Sequence, residues 1–183
     1  MADVWRLLKI HLGTPPRHFD WQWRDKDDEF HRRGRMTPKE FMAEFVTLPF
    51  QEYVCLVHDP RNPTLQTYTV DLLQNVHGGL PVIYLNVDID SMKDITRRIL
   101  EDDEPVWFGC DTGKQMHRKL GLWDADLYEF EQLYGFKLGL DKEARLRYHQ
   151  TAMTHAMLFT GVDVTDKGIR RWRVENSWGE KES

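Results

Sequence analysis

The feature that most constrains the fold is a pair of apolar stretches near the end of the chain, separated by a short polar turn. Residues 155–164 and 169–174 are predicted to form β-strands, and the turn between them, residues 165–168, ends in a glycine where a positive φ is needed. A strand, a tight turn and an antiparallel return bring the outer ends of the two strands side by side. His155 and Asn176 lie at or just beyond those ends, so the sequence predicts that they are close in space.

The remaining elements are predicted from caps, breakers and apolar spacing. Helices are expected at residues 1–12, 37–46, 91–101 and 141–148. The second begins with the capping box Thr37-Pro38-Lys39-Glu40, and the third and fourth have Asp90 and Asp141 as N-caps. Short strands are expected at 53–58, 68–73, 80–87 and 105–110, a solvated charged surface at 17–36, and a long ordered loop at 111–140. Helices come first and strands follow, so the predicted fold class is α+β.

Composition excludes several classes of protein. Seven Trp, nine Phe and six Tyr in 183 residues argue for a packed core rather than disorder, and no apolar run approaches the length of a membrane span. The net charge of -5 shows no basic excess, so nucleic acid is not an expected partner. Trp21 and Trp23 do have arginines nearby, but five acids between Asp20 and Glu29 argue against a surface for stacking bases. Two cysteines cannot build a disulfide framework, which favours a reducing compartment such as the cytoplasm.

A metal site is not expected. The acidic residues Asp88 and Asp90, with Asp102 and Asp103, could suggest one. No pair of His or Cys residues at ligand spacing accompanies them. Helix capping and solvation account for these acids, so neither a metal nor another cofactor is predicted.

His155 and Asn176 are the candidate catalytic residues. Each has an ordinary interpretation when taken alone, the first as a buried histidine satisfied by a carbonyl and the second as a turn residue. Taken together they indicate more, because an asparagine oxygen that accepts the imidazole N–H fixes the orientation and the tautomer of the ring. That is the role of the third member of a Cys-His-Asn triad.

The motifs around this pair resemble those of papain-like cysteine peptidases, where His-Ala is followed by a strand pair and then by Asn-Ser-Trp-Gly, here residues 176–179. More narrowly, the chain resembles the bleomycin hydrolase and aminopeptidase C family over nearly its whole length. The matching strings occur in the family's order and rough spacing: Thr14-Pro15-Pro16, residues 19–27, Met36-Thr37-Pro38, His58-Asp59-Pro60-Arg61, residues 106–111, Lys119-Leu120-Gly121-Leu122, residues 153–157 and residues 172–180.

The resemblance implies a fold, an activity and partners. The fold would be part of a papain-like α+β domain, and the activity would be that of a cysteine aminopeptidase that releases N-terminal residues from peptides without a cofactor. His155 would exchange the proton, Asn176 would orient His155, and Trp178 would shield their hydrogen bond from water. Members of the family form cytoplasmic homohexamers whose active sites face an internal cavity, so a homo-oligomer is expected.

The resemblance also implies that part of the domain lies outside this chain. The family's nucleophilic cysteine lies in a Gln…Gly-x-Cys-Trp context, which does not occur here. The chain would then be the C-terminal portion of a single peptidase domain, truncated at both ends. Residues 1–140 would be a helical and insert region, and residues 141–183 the region that bears His155 and Asn176. The alternative is a non-catalytic truncated module that binds peptide or associates with related subunits.

The two cysteines of the chain are poor candidates for the missing nucleophile. Cys110 has a glycine directly before it, but it precedes Asp111, whose charge would raise the pKa of the thiol. Cys55 lies in an apolar strand. Both are expected to be small buried residues.

Overall fold

The structure is a computed structural model that describes residues 1–74 and 77–178. The chain divides into two compact units, residues 1–53 and residues 54–183. The sequence-based division at residue 140 stays a prediction. No helix in the described ranges is both long enough and apolar enough to cross a membrane.

The first unit contains helix α1 (Ala2–Leu12), strands β1 (Phe19–Arg24) and β2 (Phe30–Met36), and helix α2 (Pro38–Phe45). Both predicted helices are confirmed. The capping box is complete, because Thr37 Oγ1 accepts the N–H of Glu40 at 3.2 Å and the Glu40 carboxylate accepts the N–H of Thr37 at 2.6 Å. These bonds satisfy donors that the first turn of a helix would otherwise leave unpaired.

Most residues of the charged segment 17–36 are exposed, as predicted, but the segment also contains an antiparallel hairpin that was not predicted. Along β1 the half-buried residues alternate with exposed ones, as in a strand with one covered face. The covered face presents Trp21 and Trp23, whose rings lie 4.8 Å from Phe41 and 5.5 Å from Phe45 of α2. The many charges concealed this period-two pattern because they occupy the opposite face and the turn.

The second unit begins with strands β3 (Cys55–Val57), β4 (Thr67–Tyr68) and β5 (Tyr84–Asn86), followed by helix α3 (Ile89–Glu101). The three strands form one sheet in the order β3-β5-β4, and each is shorter than predicted. The N-cap of α3 is Asp88, and the prediction of Asp90 was wrong. The reason is local, since Asp88 Oδ1 accepts the N–H of Ser91 at 2.8 Å and the helix therefore begins two residues earlier.

The second sheet of this unit carries the candidate site. After α3 come β6 (Val106–Cys110), β7 (Met116–His117), β8 (Leu122–Trp123), α4 (Phe130–Tyr134), α5 (Lys142–Arg147), β9 (His155–Thr165) and β10 (Gly168–Glu175). The sheet order is β10-β9-β6 and both pairings are antiparallel. The hairpin and the Asp141 cap of α5 are confirmed, with Asp141 Oδ1 accepting the N–H of Ala144 at 2.8 Å.

Two features of the predicted element order need correction. Residues 111–140 are not loop alone, since they include β7, β8, α4 and a 3₁₀ turn at Arg118–Leu120. Helices and strands also alternate along the chain rather than occurring in succession. Short elements of two or three residues are set by tertiary contacts and have too few residues to show a period. The α+β fold class is confirmed.

A buried asparagine holds the loop after β3 in place. Asn86 is fully buried, and its Oδ1 accepts the N–H of Asp59 at 2.8 Å. Its Nδ2 group donates to the carbonyls of Asp59, Asn62 and Pro63 at 2.9–3.0 Å. A buried backbone N–H or carbonyl without a hydrogen-bond partner costs free energy. The Asn86 amide supplies the partners that water would otherwise have to provide for this loop.

Replacing Asn86 with alanine is expected to lower the free energy of unfolding by about 2–4 kcal/mol, because it leaves a buried N–H and several carbonyls unpaired. Urea unfolding followed by tryptophan fluorescence measures the effect. Asn62→Ala is the matched control, since that exposed side chain makes one 3.2 Å bond to Asp59, and its change should stay within about 1 kcal/mol. Equal losses for the two variants would contradict the role assigned to Asn86.

Candidate active site

The site is centred on one hydrogen bond between the two ends of the β9–β10 hairpin. His155 is the first residue of β9, and Asn176 directly follows the last residue of β10. The distance between His155 Nε2 and Asn176 Oδ1 is 3.0 Å. The predicted proximity of these residues is confirmed, while their catalytic roles remain a prediction.

The hairpin register explains how the two side chains meet. The last ladder pair joins Glu175 to Leu158, so Asn176 leaves the ladder alongside the first residues of β9. The ladder contains two irregularities, one between Ile169 and Arg171 and one between Arg173 and Val174. Such irregularities increase the local twist and redirect side chains near the end of a strand.

The hydrogen bonds at Asn176 also determine the tautomer of His155. Asn176 Oδ1 accepts a second hydrogen bond from the backbone N–H of Ser177 at 2.8 Å. An atom that receives a backbone N–H must be the amide oxygen, so the His155 Nε2 facing it carries a proton. In the neutral ring the lone pair is therefore on Nδ1, and no side chain in the described ranges forms a hydrogen bond with that atom.

Trp178 covers the imidazole. The rings of Trp178 and His155 are stacked, with centroids 5.6 Å apart and planes inclined by 18°. The Arg118 guanidinium lies over the same indole, 4.7 Å from its centroid. Sequence reasoning named Trp178 as a supporting residue and missed Arg118. Gly179 and Glu180, which complete the motif, lie outside the described residues.

Cys110 is the cysteine nearest to the histidine in the sheet. It pairs directly with His155 in the β6–β9 ladder, and directly opposed residues project to the same face. Burial, with the Asp111 charge as a second cause, raises the pKa of the Cys110 thiol to about 11. An activated nucleophile shows the opposite shift, so the surroundings of Cys110 disfavour a thiolate.

Asp111 is held in its charged form beside Cys110. Burial alone would raise the pKa of this carboxyl, but hydrogen bonds from Lys114 at 3.0 Å and Thr151 at 2.8 Å lower it overall. The second cysteine, Cys55, is exposed and lies in the β3-β5-β4 sheet. The expectation that both cysteines are buried was wrong for Cys55, since its short strand leaves that side uncovered.

A separate group of possible metal ligands lies in the first unit. Asp25, Glu29 and His31 have ligand atoms within 4.8 Å of one another. The Asp25 carboxylate already accepts the backbone N–H groups of Asp27 and Glu29 at 3.0 Å and faces His31 Nε2 at 2.6 Å. These bonds stabilise the turn between β1 and β2.

The acids that the sequence analysis weighed as metal ligands include Asp88 and Asp102, which cap the two ends of α3.

Comparison with known proteins identifies the family of this chain. The profile of the Peptidase C1-like family matches residues 1–183. The chain is 43% identical to aminopeptidase C of Listeria innocua over 183 residues, which are 99% of this chain and 42% of that protein. It is also 43% identical to human bleomycin hydrolase over 188 residues, which cover 98% of this chain and 41% of that protein.

A solved structure gives the same result. The crystal structure of PepW from Lactobacillus rhamnosis HN001 matches with a TM-score of 0.94 and 40% identity, covering 99% of this chain and 41% of that one. The fold is thus the α+β fold of papain-like peptidases. The chain belongs to the Peptidase C1-like family and corresponds to the C-terminal part of its aminopeptidase C and bleomycin hydrolase relatives. It spans about two fifths of the length of those relatives.

The environment of Cys110 predicts how its thiol reacts. With a pKa of about 11, less than about 1% of the thiol is ionised at pH 8, so its alkylation by iodoacetamide should remain slow until the pH exceeds about 10. Mass-mapped alkylation rates between pH 5 and 11 measure this, with the exposed Cys55 as the internal reference. Asp111→Asn should move the rise to lower pH, because it removes a neighbouring negative charge. Rapid alkylation of Cys110 at pH 5–7 would contradict this assignment and indicate an ion pair with His155.

Proposed function

We propose that this chain carries the histidine and asparagine of a cysteine aminopeptidase site that releases N-terminal residues from peptides. The nucleophilic cysteine would come from polypeptide outside this chain. The observation that carries the proposal is the His155 Nε2–Asn176 Oδ1 hydrogen bond, since it leaves Nδ1 as the proton acceptor of the neutral ring. The names of the relatives, aminopeptidase C and bleomycin hydrolase, support the same reaction class.

In this mechanism Nδ1 of His155 takes the proton of the nucleophilic thiol, which gives a thiolate and an imidazolium. The Nε2–H remains bonded to Asn176, which keeps the ring oriented while its charge changes. The thiolate attacks the carbonyl carbon of the first peptide bond, and the Nδ1 proton passes to the leaving amine. A thioester remains. Water then gives a proton to Nδ1 while its oxygen attacks the thioester carbon. The C–S bond breaks, the amino acid is released, and the Nδ1 proton returns to the sulfur to restore the thiol and the neutral imidazole.

Trp178 contributes to this cycle by excluding water. A hydrogen bond in a dry site is stronger than one for which water competes, and His155 itself is only half-buried. The stacked indole supplies cover that the strands do not. We propose that Trp178 keeps the orienting bond intact in both charge states of the imidazole.

The proposal extends to assembly and location. Strand β6 is the edge of its sheet, and Trp107 in that strand is 77% exposed. A large exposed aromatic side chain on a strand edge favours association with another chain or with the rest of a domain. This supports association with another chain, and from the family resemblance we further propose that the whole protein is a homohexamer that acts on peptides in the cytoplasm. The same observation favours the alternative function, a non-catalytic module that binds peptide or related subunits.

A chimera tests the proposed activity. This chain replaces the matching C-terminal part of Listeria innocua aminopeptidase C, which then supplies the remainder of the domain. The chimera is expected to hydrolyse a fluorogenic aminoacyl substrate, and a thiol-alkylating agent should abolish the activity. His155→Ala should lower kcat by at least about a hundredfold, because the proton acceptor is lost.

Two comparisons complete this experiment. Cys110→Ser should leave kcat of the chimera within about twofold, since a thiol with a raised pKa is not expected to take part. Asn176→Ala should lower kcat less than His155→Ala does, because the base remains but loses its orientation. A soluble, folded chimera without thiol-sensitive activity, or one as active after His155→Ala, would overturn the proposal and leave the non-catalytic module.

A further inference from the structure

The segment between β6 and β9 brings a cation to the candidate site. Arg118 is the first residue of the 3₁₀ turn Arg118–Leu120, which ends at Gly121 with a φ of +60°. The turn is held at both ends, because β7 pairs with β8 on either side of it. The Tyr128 hydroxyl also donates to the carbonyl of Met116 at 3.2 Å. Arg118 therefore projects from an anchored turn although its own side chain is exposed.

The Arg118 guanidinium engages the indole of Trp178. Its Cζ lies 4.7 Å from the ring centroid, within the range of a cation–π contact. No ion pair involving Arg118 occurs among residues 1–74 and 77–178. The contact with the Trp178 ring is thus the interaction that the structure shows for the Arg118 guanidinium. The same indole stacks on the His155 imidazole, with the ring centroids 5.6 Å apart.

Trp178 lies beyond the end of β10, so strand pairing does not fix the position of its ring. Strand β10 ends at Glu175, and Ser177 and Trp178 form a bend beyond the ladder. The position of the indole over His155 therefore depends on side-chain contacts rather than on strand pairing. Arg118 provides one of these contacts from a separate, anchored element.

We propose that Arg118 is a positioning residue that acts through Trp178 to keep the His155–Asn176 hydrogen bond shielded from water. Its catalytic meaning rests on the proposed function, whereas its structural effect does not. The cation attracts the indole, the indole covers the imidazole, and the covered Nε2–H exchanges slowly with solvent. Arg118 itself does not touch the reacting atoms.

The test follows the Nε2 proton of His155 in the ¹⁵N-labelled chain of 183 residues. Arg118→Gln removes the charge and keeps a side chain of similar shape. The exchange rate of that proton with water is expected to rise about two- to fivefold, the range that an exposed cation–π contact corresponds to. Arg118→Lys retains a cation and should show a smaller rise.

A matched control and a double-mutant cycle show whether the effect passes through the indole. Lys119→Gln removes the adjacent exposed cation and should leave the exchange rate unchanged. In a Trp178→Ala background, Arg118→Gln should add nothing, because the mediating ring is gone. An unchanged rate in Arg118→Gln, an equal rise in Lys119→Gln, or an equal rise without Trp178 would overturn the proposal. A wild-type proton that exchanges too fast to observe would overturn it as well.

A kinetic measurement on the chimera separates this proposal from the proposed function. In an active chimera, Arg118→Gln should lower kcat and leave KM unchanged, since the shielded bond serves the chemical step rather than substrate binding. A KM effect with unchanged kcat would assign Arg118 to substrate binding and overturn its positioning role. An inactive chimera whose Nε2 proton still responds to Arg118→Gln would reject the proposed function and support the positioning role.

Discussion

The arrangement depends on one hydrogen bond, between an imidazole at the start of β9 and an amide just after β10. The 3.0 Å contact exists because the hairpin folds its two ends together and because the end of β10 leaves the ladder beside His155. The bond then determines the tautomer of the ring: Nε2 carries the proton, and Nδ1 is the atom left for proton exchange. A loss of hairpin register would separate the pair and remove both properties together.

The same sheet shows why proximity to a histidine does not activate a thiol. Cys110 is the direct ladder partner of His155, yet burial and the adjacent Asp111 raise its pKa to about 11. Asp111 is itself kept charged by Lys114 and Thr151, so the local field disfavours a thiolate. The electrostatics therefore argue against Cys110 as the nucleophile, which we propose lies outside this chain, whereas His155 is the residue for which we propose the acid–base role.

Sequence reasoning located the histidine and asparagine because hairpin geometry follows from strand patterning and turn chemistry, which are local. It found the Thr37 and Asp141 caps for the same reason. It missed the β1–β2 hairpin because charges on the outer face concealed the alternation of Phe19, Trp21 and Trp23 on the inner one. It also missed Arg118, since nothing in the neighbouring sequence indicates that this cation meets Trp178, sixty residues later. Contacts between distant segments leave no periodic signal in a single sequence.

Whether the nucleophile lies outside this chain is measured most directly by the hydrolysis of a fluorogenic aminoacyl substrate by the purified chain alone, with and without a thiol-alkylating agent. We propose that His155 and Asn176 provide a base and its orienting partner, and the raised pKa of Cys110 leaves this chain without an ionised thiol, so no thiol-sensitive turnover is expected. Turnover that disappears on alkylation and in Cys110→Ser would contradict a nucleophile outside this chain. It would show that the chain contains its own nucleophile and that Cys110 is activated in a way that the folded geometry does not show.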